Sequence, residues 1–233
     1  MTKPHRRDPL LIGAVLAICL LALYLGAVQI ARHREFGGLR HLANEIEQEP
    51  QGISEKIVEG LLPKAVSVMA RGICQSEYIR AALTLVLANL DRQDVERDFE
   101  RWSRAIELAD YVATFAVSCS PTDGNFFVRL AMVKQAVIEQ PEELARLIRF
   151  SQLYAPAEAN AIAARYKLYN RLTPQTLALV EGEFASDLNV ICQYKQGGFR
   201  RRLPAPNPRV NPRIADLVPG CTIGQVAATK SRR

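Results

Sequence analysis

Few side chains in this chain are placed to do chemistry. All three histidines, His5, His33 and His41, lie in or beside the first apolar segment, so the rest of the chain has no imidazole to act as base or ligand. A Cys–His pair or a Ser–His–Asp triad needs that imidazole to take the nucleophile's proton. There is no phosphate-binding glycine loop, and Gly197-Gly198 is an isolated pair. The neighbouring carboxylates Glu142/Glu143 and Glu181/Glu183 are of the type that cleaves glycosidic bonds. Acids near helix starts, however, ordinarily stay in solvent and meet the positive helix end. The sequence therefore predicts no catalytic residue, no metal ligand and no cofactor, and a small-molecule substrate is not expected.

Five cysteines are present. Cys19 falls in the first apolar run. Cys74, Cys119, Cys192 and Cys221 are separated by 45, 73 and 29 residues, which fits no metal motif. Four thiols allow three pairings. A bridge between Cys192 and Cys221 would fold the C-terminal segment back on the last helix. Asp123, Asn125 and Arg129 cluster around one turn, either as the rim of a binding groove or as a helix cap with a surface arginine.

The elements that must position these residues begin with an apolar run. Residues 9–31 carry Gln29 as their only strongly polar side chain. As a helix this run is about 34 Å long, enough for roughly 30 Å of hydrocarbon. Its apolar core exceeds the roughly 7–15 residues of a signal peptide. The small residues that could mark cleavage, Ala27 and Ala31, have Leu25 and Gln29 two positions before them. An uncleaved anchor is expected. Lys3, Arg6 and Arg7 precede it and Arg32, Arg34 and Arg40 follow, so charge alone nearly balances across the span. A short basic N-terminus before a long body is the layout of a signal anchor with its N-terminus in the cytoplasm. In a bacterial chain, as the Ala/Arg/Leu-rich composition suggests, the body then lies in the periplasm, where disulfides persist.

Charge is unevenly placed. The net charge is +6, yet residues 1–194 carry 21 basic and 23 acidic side chains, and residues 195–233 carry nine basic and one acidic. The excess therefore belongs to the C-terminal segment, and the body offers no broad basic face for nucleic acid. Five prolines between 204 and 219 predict an extended, basic tail. Arg200, Arg201 and Arg202 are its candidate contacts to anionic lipid or to a partner.

The body reads as helices. Residues 32–49 could continue the anchor helix, interrupted at Gly37-Gly38. Further helices are expected over 55–69 (capped by Ser54, with Pro63 a kink or boundary), 77–90, 94–119, 125–139, 142–154, 158–170 and 174–194. No segment alternates apolar and polar residues as a half-buried strand would. The expected organisation is a cytoplasmic N-terminus (1–8), a transmembrane anchor (9–31), a membrane-proximal linker (32–53), a helical domain (54–194) and a basic tail (195–233).

One internal echo gives the helices an order. Phe115, Pro121, Asp123 and Asn125 recur thirty-five positions later as Phe150, Pro156, Glu158 and Asn160. Helix pairs broken at this interval are the mark of a helical repeat. Over residues 85–170 the chain resembles the tetratricopeptide (TPR) family, with Ala105 and Ala109 at its small-residue positions and Pro121 and Pro156 at repeat ends. That resemblance implies an all-α stack of hairpins presenting a groove to a protein partner. The phrase Ser120–Met132 is also similar to small anchored proteins of bacterial envelope polysaccharide assembly. These likenesses imply a single-pass inner-membrane scaffold that binds another envelope or inner-membrane protein. Phe126, Phe127, Arg129 and Tyr166 are its expected groove-side residues. The alternatives are a glycan-active or accessory enzyme using carboxylates in a helical cleft, and a structural spacer.

Overall fold

The computed structural model describes residues 9–49, 52–193 and 198–224. Every regular element among them is a helix, and no strand occurs among the described residues. Helix α1 spans Pro9–Gln48, α2 Glu55–Ala70, α3 Ser76–Leu90, α4 Phe99–Cys119, α5 Gly124–Val137 and α6 Pro141–Tyr154. They are followed by α7 (Ala159–Tyr169), α8 (Pro174–Leu179), α9 (Glu181–Gln193), α10 (Gly198–Arg202) and α11 (Asn211–Leu217).

The 40 residues of α1 form one rod about 60 Å long at 1.5 Å per residue. It runs through Gly37-Gly38 without the expected interruption. A glycine costs a helix about 1 kcal/mol relative to alanine. Burial of Phe36, Leu39, Leu42, Ala43 and Ile46 on one face of the same helix outweighs that cost. The preceding half of α1 is the one helix among the described residues long and apolar enough to cross a membrane, and its apolar window has no buried residue. A single helix therefore passes from an unpacked apolar rod into the protein core.

Polar contacts fasten the body along that helix. The Gln75 side-chain amide donates to Gln29 Oε1 at 3.1 Å. Arg71 pairs with Glu35 at 2.7 Å and Arg40 with Glu77 at 2.6 Å. The α2–α3 turn thus stands level with the end of the 9–31 run.

Local chemistry adjusts several helix bounds. The helix α2 runs past Pro63 rather than stopping there, held by buried Val58, Ala65, Val68 and Met69. The start of α4 is at Phe99 instead of Asp94, because the Asp98 side chain accepts the Arg101 amide hydrogen and fixes the first turn. The stretch 174–194 divides into α8 and α9 at Val180, whose φ of −121° and ψ of 22° leave the helical region.

Successive helices pack as neighbours: α3 against α1, α2 and α4, then α5 against α4, α6 and α7. The sequence echo marks equivalent points in this array. Asp123 and Glu158 are the N-cap residues of α5 and α7, and Pro121 and Pro156 lie in the turns before them. Gly124 allows the start of α5 to meet the end of α6. A Cβ there would stand 2.6 Å from the Ser151 carbonyl oxygen and 2.6 Å from the Ala155 Cβ.

The C-terminal segment departs most from expectation. Residues 198–224 are not an extended tail: α10 and α11 pack on α9, and Leu203, Val210, Ile214 and Ile223 are buried, while 195–197 and 225–233 lie outside the described residues. Asn207 donates its backbone N–H to Asn170 Oδ1 at 2.7 Å, and a Cys192–Cys221 disulfide closes the loop. Pro212 sits in the first turn of α11, where its missing N–H has no helical partner to lose. The segment covers the apolar side of α9. A second disulfide, Cys74–Cys119, joins the α2–α3 and α4–α5 turns.

Candidate functional site

The C-terminal half of the body encloses a buried ion pair. Arg165 and Asp187 are both 0% exposed. The guanidinium grips the carboxylate with two forked bonds, Nε to Oδ2 and Nη2 to Oδ1, each 2.7 Å. Its remaining donors reach Ser151 Oγ at 2.9 Å and the Ala155 carbonyl at 3.1 Å. The Tyr169 hydroxyl donates to Asp187 Oδ2 at 3.1 Å. Burial pushes the Asp187 carboxyl up from its usual value while the Arg165 bonds pull it back, and burial together with Asp187 pushes the Tyr169 phenol well up. Every oxygen of the carboxylate is satisfied within the protein, so this network locks α6, α7 and α9 together and offers no free group to a ligand.

The opposite situation holds in a cleft of about 720 Å³. Its walls come from the odd-numbered helices: Ile46 and Glu47 of α1, Thr84 and Leu87 of α3, and Asn125 and Arg129 of α5. Asn160, Ala164 and Lys167 of α7 add to them, with Ile53, Asp91 and Arg92 from the turns. Four cationic side chains and two carboxylates face it, and no aromatic ring does. Arg80 at the rim pairs with Asp123 at 3.1 Å, and Thr84 donates to Glu47 at 3.2 Å. Arg129 is half-buried and makes no hydrogen bond or ion pair among the described residues. Burial pushes its guanidinium down from the usual arginine range, against the pull of Glu47 and Asp91. One turn away on α5, Asn125 is 6% exposed and its Oδ1 has no hydrogen-bond partner among the described residues. Polar groups inside proteins are ordinarily satisfied, so an orphan amide oxygen beside an unpaired cation makes this cleft the candidate site.

Of the expected groove-side residues, Arg129 alone lines this cleft. Phe126, Phe127 and Tyr166 are 1%, 7% and 0% exposed. Phe127 lies tilted against Phe150 and stacked on Tyr154 between α5 and α6, at ring separations of 5.2 and 5.9 Å. Their apolar bulk belongs to the packing that holds the wall in place. Sequence inspection missed Asn160, Thr84 and Lys167; the Asn125/Asn160 echo was the signal for the first of them. Arg200, Arg201 and Arg202 are the last three residues of α10, with Arg200 half-buried and the other two exposed.

The paired carboxylates do not converge. Glu142 and Glu143 stand in the first turn of α6, Glu183 faces Arg149 at 3.6 Å and Glu181 faces Arg213 at 3.9 Å. Among the described residues no three His, Cys, Asp or Glu side chains gather as metal ligands would. Compared with known proteins, the chain matches no family model, no curated protein and no solved structure.

Proposed function

We propose that this chain is a membrane-anchored adaptor whose helical array, TPR-like in its alternation, holds another membrane or envelope protein in the cleft of α1, α3, α5 and α7. The observation that carries this reading is that α1 is both the apolar rod and a wall of the cleft. If the 9–31 run lies in a bilayer, the α2–α3 turn abuts the membrane surface, because Gln75 bonds Gln29. The cleft is then fixed at a set height and angle by an unbroken helix. Confinement to that layer raises its effective concentration for a membrane-bound partner. The two disulfides favour an oxidising compartment, which supports a periplasmic body and an inner-membrane anchor. The sequence likeness to anchored envelope proteins extends the proposal to polysaccharide assembly or export.

The test is site-specific photocrosslinking in intact membranes. Benzoylphenylalanine at Thr84 or Lys167 should give one discrete adduct. The same group at Arg104 on α4 or Arg146 on α6, outside the cleft, should give none. Equal labelling from all four positions, or none from the cleft, would overturn the adaptor reading.

A further inference from the structure

The cleft holds two unmet demands side by side. Arg129 carries a charge that no carboxylate neutralises by direct contact, in a position where burial disfavours it. Asn125 hides an acceptor without a donor one turn away. A guanidinium partly removed from water and left without a counter-ion costs stability. Both features become favourable together when a ligand brings a carboxylate to the first and an N–H to the second. A peptide segment bearing an acidic side chain supplies both groups within a few ångströms.

An amide and a cation also line the cleft from α7. Asn160 and Lys167, seven residues apart, lie on one face of α7 and also line the cleft. Helices α5 and α7 thus each offer an amide near the start and a cation further along. Asparagine can donate to a peptide carbonyl and accept from a peptide N–H, so it holds an extended backbone regardless of sequence. The cation then selects the side chain. An acidic glycan would satisfy the cations equally, but no aromatic ring faces the cleft for a sugar to stack upon.

We propose that the cleft is a receptor for an extended acidic peptide segment of the partner, with Arg129 and Lys167 pairing its carboxylates and Asn125 and Asn160 holding its backbone. This rests on the adaptor reading and names the chemistry the partner must present.

The test uses the full chain in nanodiscs and a fluorescein-labelled hexapeptide of alternating Glu and Gly, read by anisotropy. The alternating Gln and Gly hexapeptide and a labelled hexagalacturonate serve as comparisons. The Glu peptide should bind, should weaken as salt screens the pairing, and should exceed the Gln peptide by about tenfold or more. Arg129→Gln should reduce affinity by a similar factor without lowering the melting temperature, since it removes a charge that has no partner to lose. Arg129→Lys should restore only part of the binding, because the fork is gone. Equal binding of Glu and Gln peptides, no binding of either, preference for the galacturonate, or an unchanged affinity in Arg129→Gln would each overturn the proposal. Loss of the peptide interaction with cleft crosslinks intact would sink this site alone. Peptide binding without crosslinks would sink the adaptor instead.

Discussion

Truncating Asp187 to alanine gives the sharpest test of how the C-terminal half is held. Asp187 accepts two bonds of 2.7 Å from Arg165 and one of 3.1 Å from Tyr169, and it is wholly enclosed. Its removal leaves a buried guanidinium with only Ser151 and the Ala155 carbonyl as partners. Breaking one side of such a pair costs about 3–5 kcal/mol, most of it the uncompensated charge. For a body of this size each kcal/mol shifts the melting temperature by about 2–4 °C. Asp187→Ala should therefore melt roughly 6–20 °C lower, followed by helix circular dichroism of the full chain in detergent with disulfides intact. The double variant Arg165→Met, Asp187→Leu removes both charges and refills the space. It should recover most of that loss, because a buried ion pair seldom exceeds a well-packed apolar replacement. A single variant that melts within a degree or two of the parent, or a double variant no better than the single, would show that the network does not hold α6, α7 and α9 together.

Two further outcomes follow from local geometry. Gly124→Ala should destabilise by about 1–3 kcal/mol in chemical denaturation, because its Cβ would meet backbone atoms of α6 at 2.6–2.7 Å and force the α5–α6 contact apart; an unchanged midpoint would contradict that closeness. Glu139 is pushed up by burial, but the Thr173 hydroxyl, Thr176 hydroxyl and Thr173 backbone N–H that it accepts outweigh this and leave its carboxyl below the usual range. A depressed carboxyl contributes stability above its unfolded value that is lost as pH falls through the folded one. Glu139→Gln should thus destabilise at pH 7 and much less below pH 4, and equal losses at both would refute the assignment.

The sequence by itself determined most helices of the body, though not the division of 174–194 at Val180 or helices α10 and α11. An unbroken apolar run, helical periods, and prolines at the turns are local properties of the chain, and they predict an all-helical body on a membrane-length helix. The thirty-five-residue echo predicted equivalence as well, and Asp123 and Glu158 do occupy the same N-cap position in α5 and α7. Which apolar face turns inward was not legible. Phe126, Phe127 and Tyr166 sit on helices whose apolar arcs are wide, and a wide arc does not say which side a neighbour will cover. Only the packing of α6 against α5, and of α9 beyond α7, buried them and left Arg129 in the cleft. The C-terminal segment shows the same limit. Its prolines and arginines read locally as an open chain, but Leu203, Val210 and Ile214 are buried in the cap it forms on α9. Local composition sets what a segment can form, while its burial is set by surfaces that other segments leave open. That distinction is why the helices could be read from residues in order and the cleft required their assembly.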